Sequence, residues 1–187
     1  MKKIIITALV SLFSTVLCIA QTKLPAIDKS TMDMSYYPAG YPVLKIQDKI
    51  TDALVARVIY SRPLKGGRVI FGDLLEYGKV WRLGANEATE IEFFKHVKIN
   101  DSKIKKGRYT MYCIPNAASW TIILNKETDT WGSFKYDEKK DVVRVDIPVQ
   151  KQTEITEAFS MVFEKATGGA NLIMAWDDVR VSLPVKF

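Results

Sequence analysis

A single histidine and two cysteines occur in the 187 residues, and that scarcity removes several kinds of chemistry at the outset. His96 and Cys113 stand apart, with no HExxH or CxxC spacing around them, so a zinc centre built on such motifs has no basis. Cys18 lies in a leader-like N-terminus, which leaves one thiol in the mature chain and no internal disulfide. Ser61 and Ser119 lack the GxSxG setting of a nucleophile elbow, and a serine hydrolase is unsupported. The run from Ile4 to Ile19 is shorter than the about 20 apolar residues that a membrane span takes, and no later run approaches that length. A basic block is missing too. The formal charge of +6 falls to +4 once Lys2 and Lys3 are removed with the leader, and the remaining cations are spread along the chain, so nucleic acid is not an expected partner. No metal or other cofactor is expected.

What is present begins with Met1-Lys2-Lys3, an apolar stretch, and Cys18-Ile19-Ala20 before Gln21. This reads as a signal peptide over 1–20, cleaved after the small residue Ala20, with the product exported to the periplasm or the medium. Anchoring as a lipoprotein through Cys18 is disfavoured, because Leu17 stands where that signal takes a small residue. Residues 21–32 read as a polar tether, and 33–187 as a single domain with no membrane span.

Short apolar runs then follow at intervals, each bounded by Gly, Pro, Asn or Asp: 33–37, 43–49, 53–61, 88–99, 108–114, 119–125, 141–149, 155–163, 170–176 and 178–187. That spacing predicts an all-β fold, a predominantly antiparallel β-sandwich of jelly-roll-like character, with little helix. Val179, Val181, Leu183, Val185 and Phe187 alternate with Arg180, Ser182, Pro184 and Lys186, so one face is core and the other wet. Val143, Val145, Ile147 and Val149 repeat the pattern, as do Phe159, Met161 and Phe163, and Leu172, Met174 and Trp176. Asn100-Asp101-Ser102 and Gly168-Gly169 are expected to turn neighbouring strands. One helical turn is expected at Asp73 to Tyr77, capped by Asp73.

The irregular part is Arg57 to Phe94. Tyr60-Ser61-Arg62-Pro63, Gly67-Arg68, Ile70-Phe71-Gly72, Tyr77-Gly78-Lys79-Val80-Trp81-Arg82 and Gly84-Ala85-Asn86-Glu87-Ala88-Thr89 together resemble the DUF2911 family of exported bacterial proteins. Gly107 and Tyr109, Ile114-Pro115, Trp120 to Asn125, Trp131-Gly132, Tyr136-Asp137, Asp141 and Arg144-Val145 extend the resemblance over nearly all of the chain after residue 50. The resemblance implies an exported, single-domain, β-rich protein and brings with it no catalytic residue.

The candidate site residues come from residue chemistry. Arg62, Arg68, Trp81, Arg82, Asn86, Glu87, Trp131, Tyr136 and Asp137 include fixed donors, flat apolar faces and carboxylates near loop-to-strand junctions, where function is often carried. A clamp reading comes first: Arg62 or Arg82 pairs with Glu87, Asp137 or Asp141 and pins the 62–87 connection to the sandwich. Among functional readings, a non-catalytic module for a small polar or glycan-like ligand beside 62–87 leads. The alternatives are a hydrolase-like enzyme using Glu87, with Asp137 as partner and Arg82 stabilising charge, and a purely structural or protein-interaction domain. His96 reads as a surface imidazole, Cys113 as core, Lys65-Gly66-Gly67-Arg68 as a turn, and Asp137, Glu138 and Asp141 as a solvated loop lacking the pattern of a calcium site.

Overall fold

The computed structural model describes residues 24–187; the signal peptide assigned to 1–20 and the start of the tether lie outside the described residues. Two antiparallel sheets pack face to face. The first holds β1 (Met32–Tyr37), β2 (Ala56–Ser61), β3 (Glu90–Phe93), β6 (Gly107–Pro115), β7 (Ser119–Asn125) and β8 (Asp141–Pro148), adjacent in that order. The second runs β5 (Ser102–Ile104), β4 (Val97–Ile99), β10 (Gly169–Lys186), β9 (Gln150–Ala166). The predicted all-β sandwich is the observed architecture. No helix among the described residues is long and apolar enough to cross a membrane.

Alternation explains how the layers meet. Val58, Tyr60, Ile91, Phe93, Met111, Cys113, Trp120 and Ile122 point inward from the first sheet, and Phe159, Met161, Leu172, Met174, Trp176, Val181 and Leu183 from the second. Their intervening neighbours face out, as a two-residue period requires. Val145 and Val149 are only half-buried, and Phe187 is partly exposed at the end of its row. The turns expected at Asn100 and Gly168 are present with positive φ, 52° and 71°. The sheets are also stapled by hydrogen bonds. The Tyr60 hydroxyl accepts from the Met161 amide at 2.9 Å, and Arg62 reaches the Phe159 carbonyl and the Ser160 hydroxyl.

Three expectations are corrected. The run 43–49 is not a strand: Tyr41–Ile46 is a short helix, α1, with Pro42 in its first turn, where a missing N–H costs nothing. None of its residues is buried, so its apolar content did not signify a core strand. The run 88–99 is two strands in different layers. β3 pairs Glu90–Phe93 with Ile59–Ala56; beyond Ala56 its partner ends, and the chain crosses at Phe94–His96 to form β4 in the second sheet. Asp73 to Tyr77 is a tight turn rather than helix, closed by the Leu75 amide on the Ile70 carbonyl (2.8 Å) and the Gly72 amide on the Leu75 carbonyl (2.9 Å).

β10 stays one strand through Asp177, where φ is 57° and the register with β9 shifts. The strand bends there. A Cβ on Gly169 would lie 2.0 Å from the Val185 carbonyl, so the close return of the chain end requires glycine at that position. The first residues before β1 have no regular structure, yet the Arg62 amide donates to the Thr31 carbonyl (2.9 Å) and Asn86 Nδ2 to Asp28 Oδ2 (3.0 Å). Residues 28–31 are therefore tied to the domain.

Candidate functional site

The excursion from Lys126 to Lys140, between β7 and β8, lies over the outer face of the six-stranded sheet, and Asn125 fastens both of its ends. This buried side chain donates to the Asp137 carbonyl (2.9 Å) and Asp141 Oδ1 (2.7 Å), and accepts from the Glu127 amide (2.9 Å). Beneath the excursion, Ala88, Tyr112 and Ile123 form a small second core against which Tyr136 packs. Burial, and then the bond to Asp141, push the Tyr136 phenol up to about 12.

Trp131 sits where the excursion meets the 62–87 connection. It bridges Glu87: the Ala88 amide donates to the Thr130 carbonyl (3.0 Å) and the Gly132 amide to the Asn86 carbonyl (2.9 Å). The backbone is pinned on both sides of the indole, yet the residue is 63% exposed. Phe134, at 80% exposure, stacks on it with centroids 5.8 Å apart and planes 15° from parallel. Two large aromatic rings thus stand together in water on a fixed backbone.

Three depressions meet at Trp131. The first, about 420 Å³, is floored by Met32, Ile59 and Ala88 and edged by Glu87, Glu90 and Asp129. A second, about 550 Å³, runs along residues 27–32 beside Asn86 and Glu87, and a third, about 500 Å³, lies on the Phe134 and Tyr112 side. Arg108 holds Glu90 at 3.2 Å and Asp129 at 2.6 Å. The Glu90 charge raises the arginine pKa, while the Thr128 hydroxyl and Arg108 lower that of Asp129. Glu87 is exposed and has neither ion pair nor side-chain hydrogen bond among the described residues. The first two depressions therefore share an aromatic wall and one uncompensated carboxylate, a setting that accepts hydroxyl or ammonium donors and repels anions.

The residues nominated from sequence fall into separate places. Asn86, Glu87 and Trp131 come together. Trp81 does not join them: it is core, stacked on Trp176 at 5.8 Å, edge-on to Trp120, and donating its indole N–H to the Gly84 carbonyl (3.0 Å). Arg62 is a clamp, but on Asp33 (3.2 Å) rather than on Glu87, Asp137 or Asp141. Arg68 closes the Lys65–Arg68 turn through the carbonyls of Leu64 and Lys65. Arg82 has no carboxylate partner among the described residues; burial lowers its pKa, and its Nε is buried without a hydrogen bond. Asp137 caps the 3-10 turn Glu138–Lys140, accepting from the Lys139 amide (3.0 Å), and Asp141 is taken by Tyr136, Asn125 and Arg144. Tyr136 belongs to that structural network.

His96 is exposed and accepts the Lys106 amide at Nδ1 (3.0 Å), a structural task. Cys113 is fully buried, and burial pushes its thiol well up, as core sulfur. Among the described residues no group of three His, Cys, Asp or Glu side chains could hold a metal ion.

Sequence reasoning missed Phe134, Glu90, Asp129 and Met32. A signal for Phe134 was present in Asp129-Thr130-Trp131-Gly132-Ser133-Phe134-Lys135: turn-forming neighbours argue that both aromatics stand outside any strand.

No curated protein and no solved structure matches the chain. A family model described as a protein of unknown function, DUF2911, matches residues 42–185, which takes in both sheets from β2 onward and the Trp131 region apart from residues 27–32. By that match over most of its length the chain belongs to the DUF2911 family.

Proposed function

We propose that the protein is a non-catalytic binding module that takes a neutral or amine-bearing glycan-like ligand across Trp131. The observation that carries this reading is an indole left 63% exposed although its flanking amide and carbonyl are pinned and a phenyl ring is stacked on it. Rigid aromatic surface of this kind gives contact area with little side-chain ordering on binding, which is why such residues dominate recognition sites. A sugar ring laid on the indole would meet Glu87 at the edge of the cleft, where the free carboxylate accepts hydroxyl hydrogen bonds. The leader-like N-terminus suits an exported module in the periplasm or the medium.

The hydrolase-like reading has weaker support. Arg82 lines none of the three depressions at Trp131, and Asp137 is occupied as a cap. The test is a titration of tryptophan fluorescence with soluble β-1,4-linked oligomers of glucose, mannose and N-acetylglucosamine. Saturable binding by the wild type should weaken about thirtyfold in Trp131→Ala, the equivalent of about 2 kcal/mol for a buried aromatic anchor. Equal binding by Trp131→Ala, or no response to any of the oligomers, would refute the proposal.

A further inference from the structure

The cations that the sequence spreads along the chain are gathered by the fold. Lys103 on β5 is directly opposite Lys98 on β4, and Lys98 is directly opposite Lys186 on β10. Opposed residues on antiparallel strands share a face with Cβ atoms about 5 Å apart, so three ammonium groups form one row across three strands. Val97, Ile99, Ile104 and Val185 of the same strands point inward, which fixes the lysine row on the outer face of the four-stranded sheet. Like charges placed directly opposite destabilise a sheet. Among the described residues the one acid paired with the row is Asp101, 3.4 Å from Lys98 and 94% exposed. Residues 1–23 contain no Asp or Glu that could relieve the row.

The surroundings add charge and apolar surface. The Lys106 amide donates to His96 Nδ1, which draws the Lys105-Lys106 loop against β4. Lys95 lies over the Phe187 ring at 5.3 Å. A shallow depression of about 540 Å³ opens beside the row, with Gly168 and Phe187 among its lining. Phe187, whose ring lies 5.1 Å from that of Tyr37, is 37% exposed. The face is thus an array of ammonium groups with the Phe187 ring at its edge.

We propose that this face docks on an anionic phospholipid surface, with the lysines on the headgroup phosphates and Phe187 at the acyl boundary. Each lysine near such a surface strengthens binding about fivefold, and exposed aromatics settle at the headgroup level. Composition points to a membrane rather than a nucleic acid: the row and the adjoining Lys95, Lys105 and Lys106 are lysine, and Arg180, farther along the same face of β10, is held by Glu164 (3.0 Å). Lysine is a hydrated point charge suited to a diffuse charged plane, whereas base and phosphate readers favour the bidentate fork of arginine. The proposal is independent of the Trp131 cleft, which lies on the other sheet.

Co-sedimentation with vesicles of phosphatidylcholine alone, and of phosphatidylcholine with phosphatidylglycerol, tests it, all variants carrying the same N-terminus. Wild type should pellet only with the anionic vesicles and be released by raising salt from about 0.15 M to about 1 M, where the Debye length falls from about 8 Å to about 3 Å. The triple variant K98Q/K103Q/K186Q should bind about a hundredfold more weakly. Its thermal midpoint should stay level or rise, because the opposed charges are gone. The control K126Q/K139Q, on the excursion over the other sheet, should bind as wild type. Wild-type partitioning by the triple variant, equal binding to neutral vesicles, or tighter binding of a DNA duplex at the same salt would each overturn the proposal.

Discussion

The Phe134 ring lies nearly parallel to that of Trp131, and the residue that lets it lie there is Gly132. Its φ is 70°, and a Cβ built on it would sit 2.6 Å from the Phe134 ring. In Gly132→Ala the exposed phenyl ring must swing off the indole, and the backbone must hold a left-handed conformation at a cost of about 1–2 kcal/mol. Near-ultraviolet circular dichroism should lose the signal of the stacked pair, and ligand affinity should fall with it. An unchanged spectrum would mean that the stack does not depend on this glycine.

Asn125 should be the most consequential residue for the Lys126–Lys140 excursion. Asn125→Ala leaves the Asp137 carbonyl, Asp141 Oδ1 and the Glu127 amide each short of a partner. With about 1–3 kcal/mol for each polar group left unsatisfied in a buried site, the total loss should reach about 2 kcal/mol or more. Limited proteolysis should then cut within 126–137 while the sheets stay intact. Wild-type protease resistance would show that the excursion is held without Asn125, by Tyr136 on the second core and the bonds to 86–88.

Tyr60→Phe tests the staple between the layers. The hydroxyl accepts from the Met161 amide and lies 3.2 Å from both the Met161 carbonyl and Asp33 Oδ2, to one of which it donates. Its removal leaves a buried amide unpaired, for a loss of about 1–3 kcal/mol by urea unfolding with little change in the slope. A loss within error would place the joining of the sheets in their apolar contact.

Tyr136 gives a pH signature. Its folded pKa, about 12, is raised above the ordinary 10.0 by burial and then by Asp141. The neutral phenol is therefore favoured by folding. This stability is complete below pH 10.0 and is lost as pH climbs to about 12. Thermal midpoints of wild type should drop across that window, and Tyr136→Phe should flatten the drop. Parallel curves would remove Tyr136 as the source.

The scaffold was legible wherever apolar alternation met sharp turns. Val179 to Val185, and the hairpins at Asn100 and Gly168, obey local rules, so a two-residue period and a positive φ suffice to place them. Glu90–Ile99 obeys a non-local one: its strand ends because β2 ends opposite it, which no window of the sequence contains. Trp81 resembled a ligand platform because an indole beside an arginine and a glycine has the same letters in a core as at a surface. Its partner Trp176 lies almost a hundred residues away. The lysine row was hidden for the same reason, since Lys98, Lys103 and Lys186 become neighbours only through strand pairing. Asn86, Glu87 and Trp131 were nominated from their loop-rich settings, and strand-like pairing of 86–88 with 130–132 brings them side by side.

The crossing at Phe94–His96 has a geometrical result for the whole molecule. Glu90 before it faces out from one sheet and Lys98 after it faces out from the other, so eight residues of chain pass from the side that bears the Trp131 cleft to the side that bears the lysine row. The protein is a slab with two unlike broad faces, paired charges and exposed aromatic rings on one and a lysine row on the other. Laid lysine-side down on a charged plane, it would hold the Trp131–Phe134 ledge facing away from that plane, into the water, with every molecule turned the same way up.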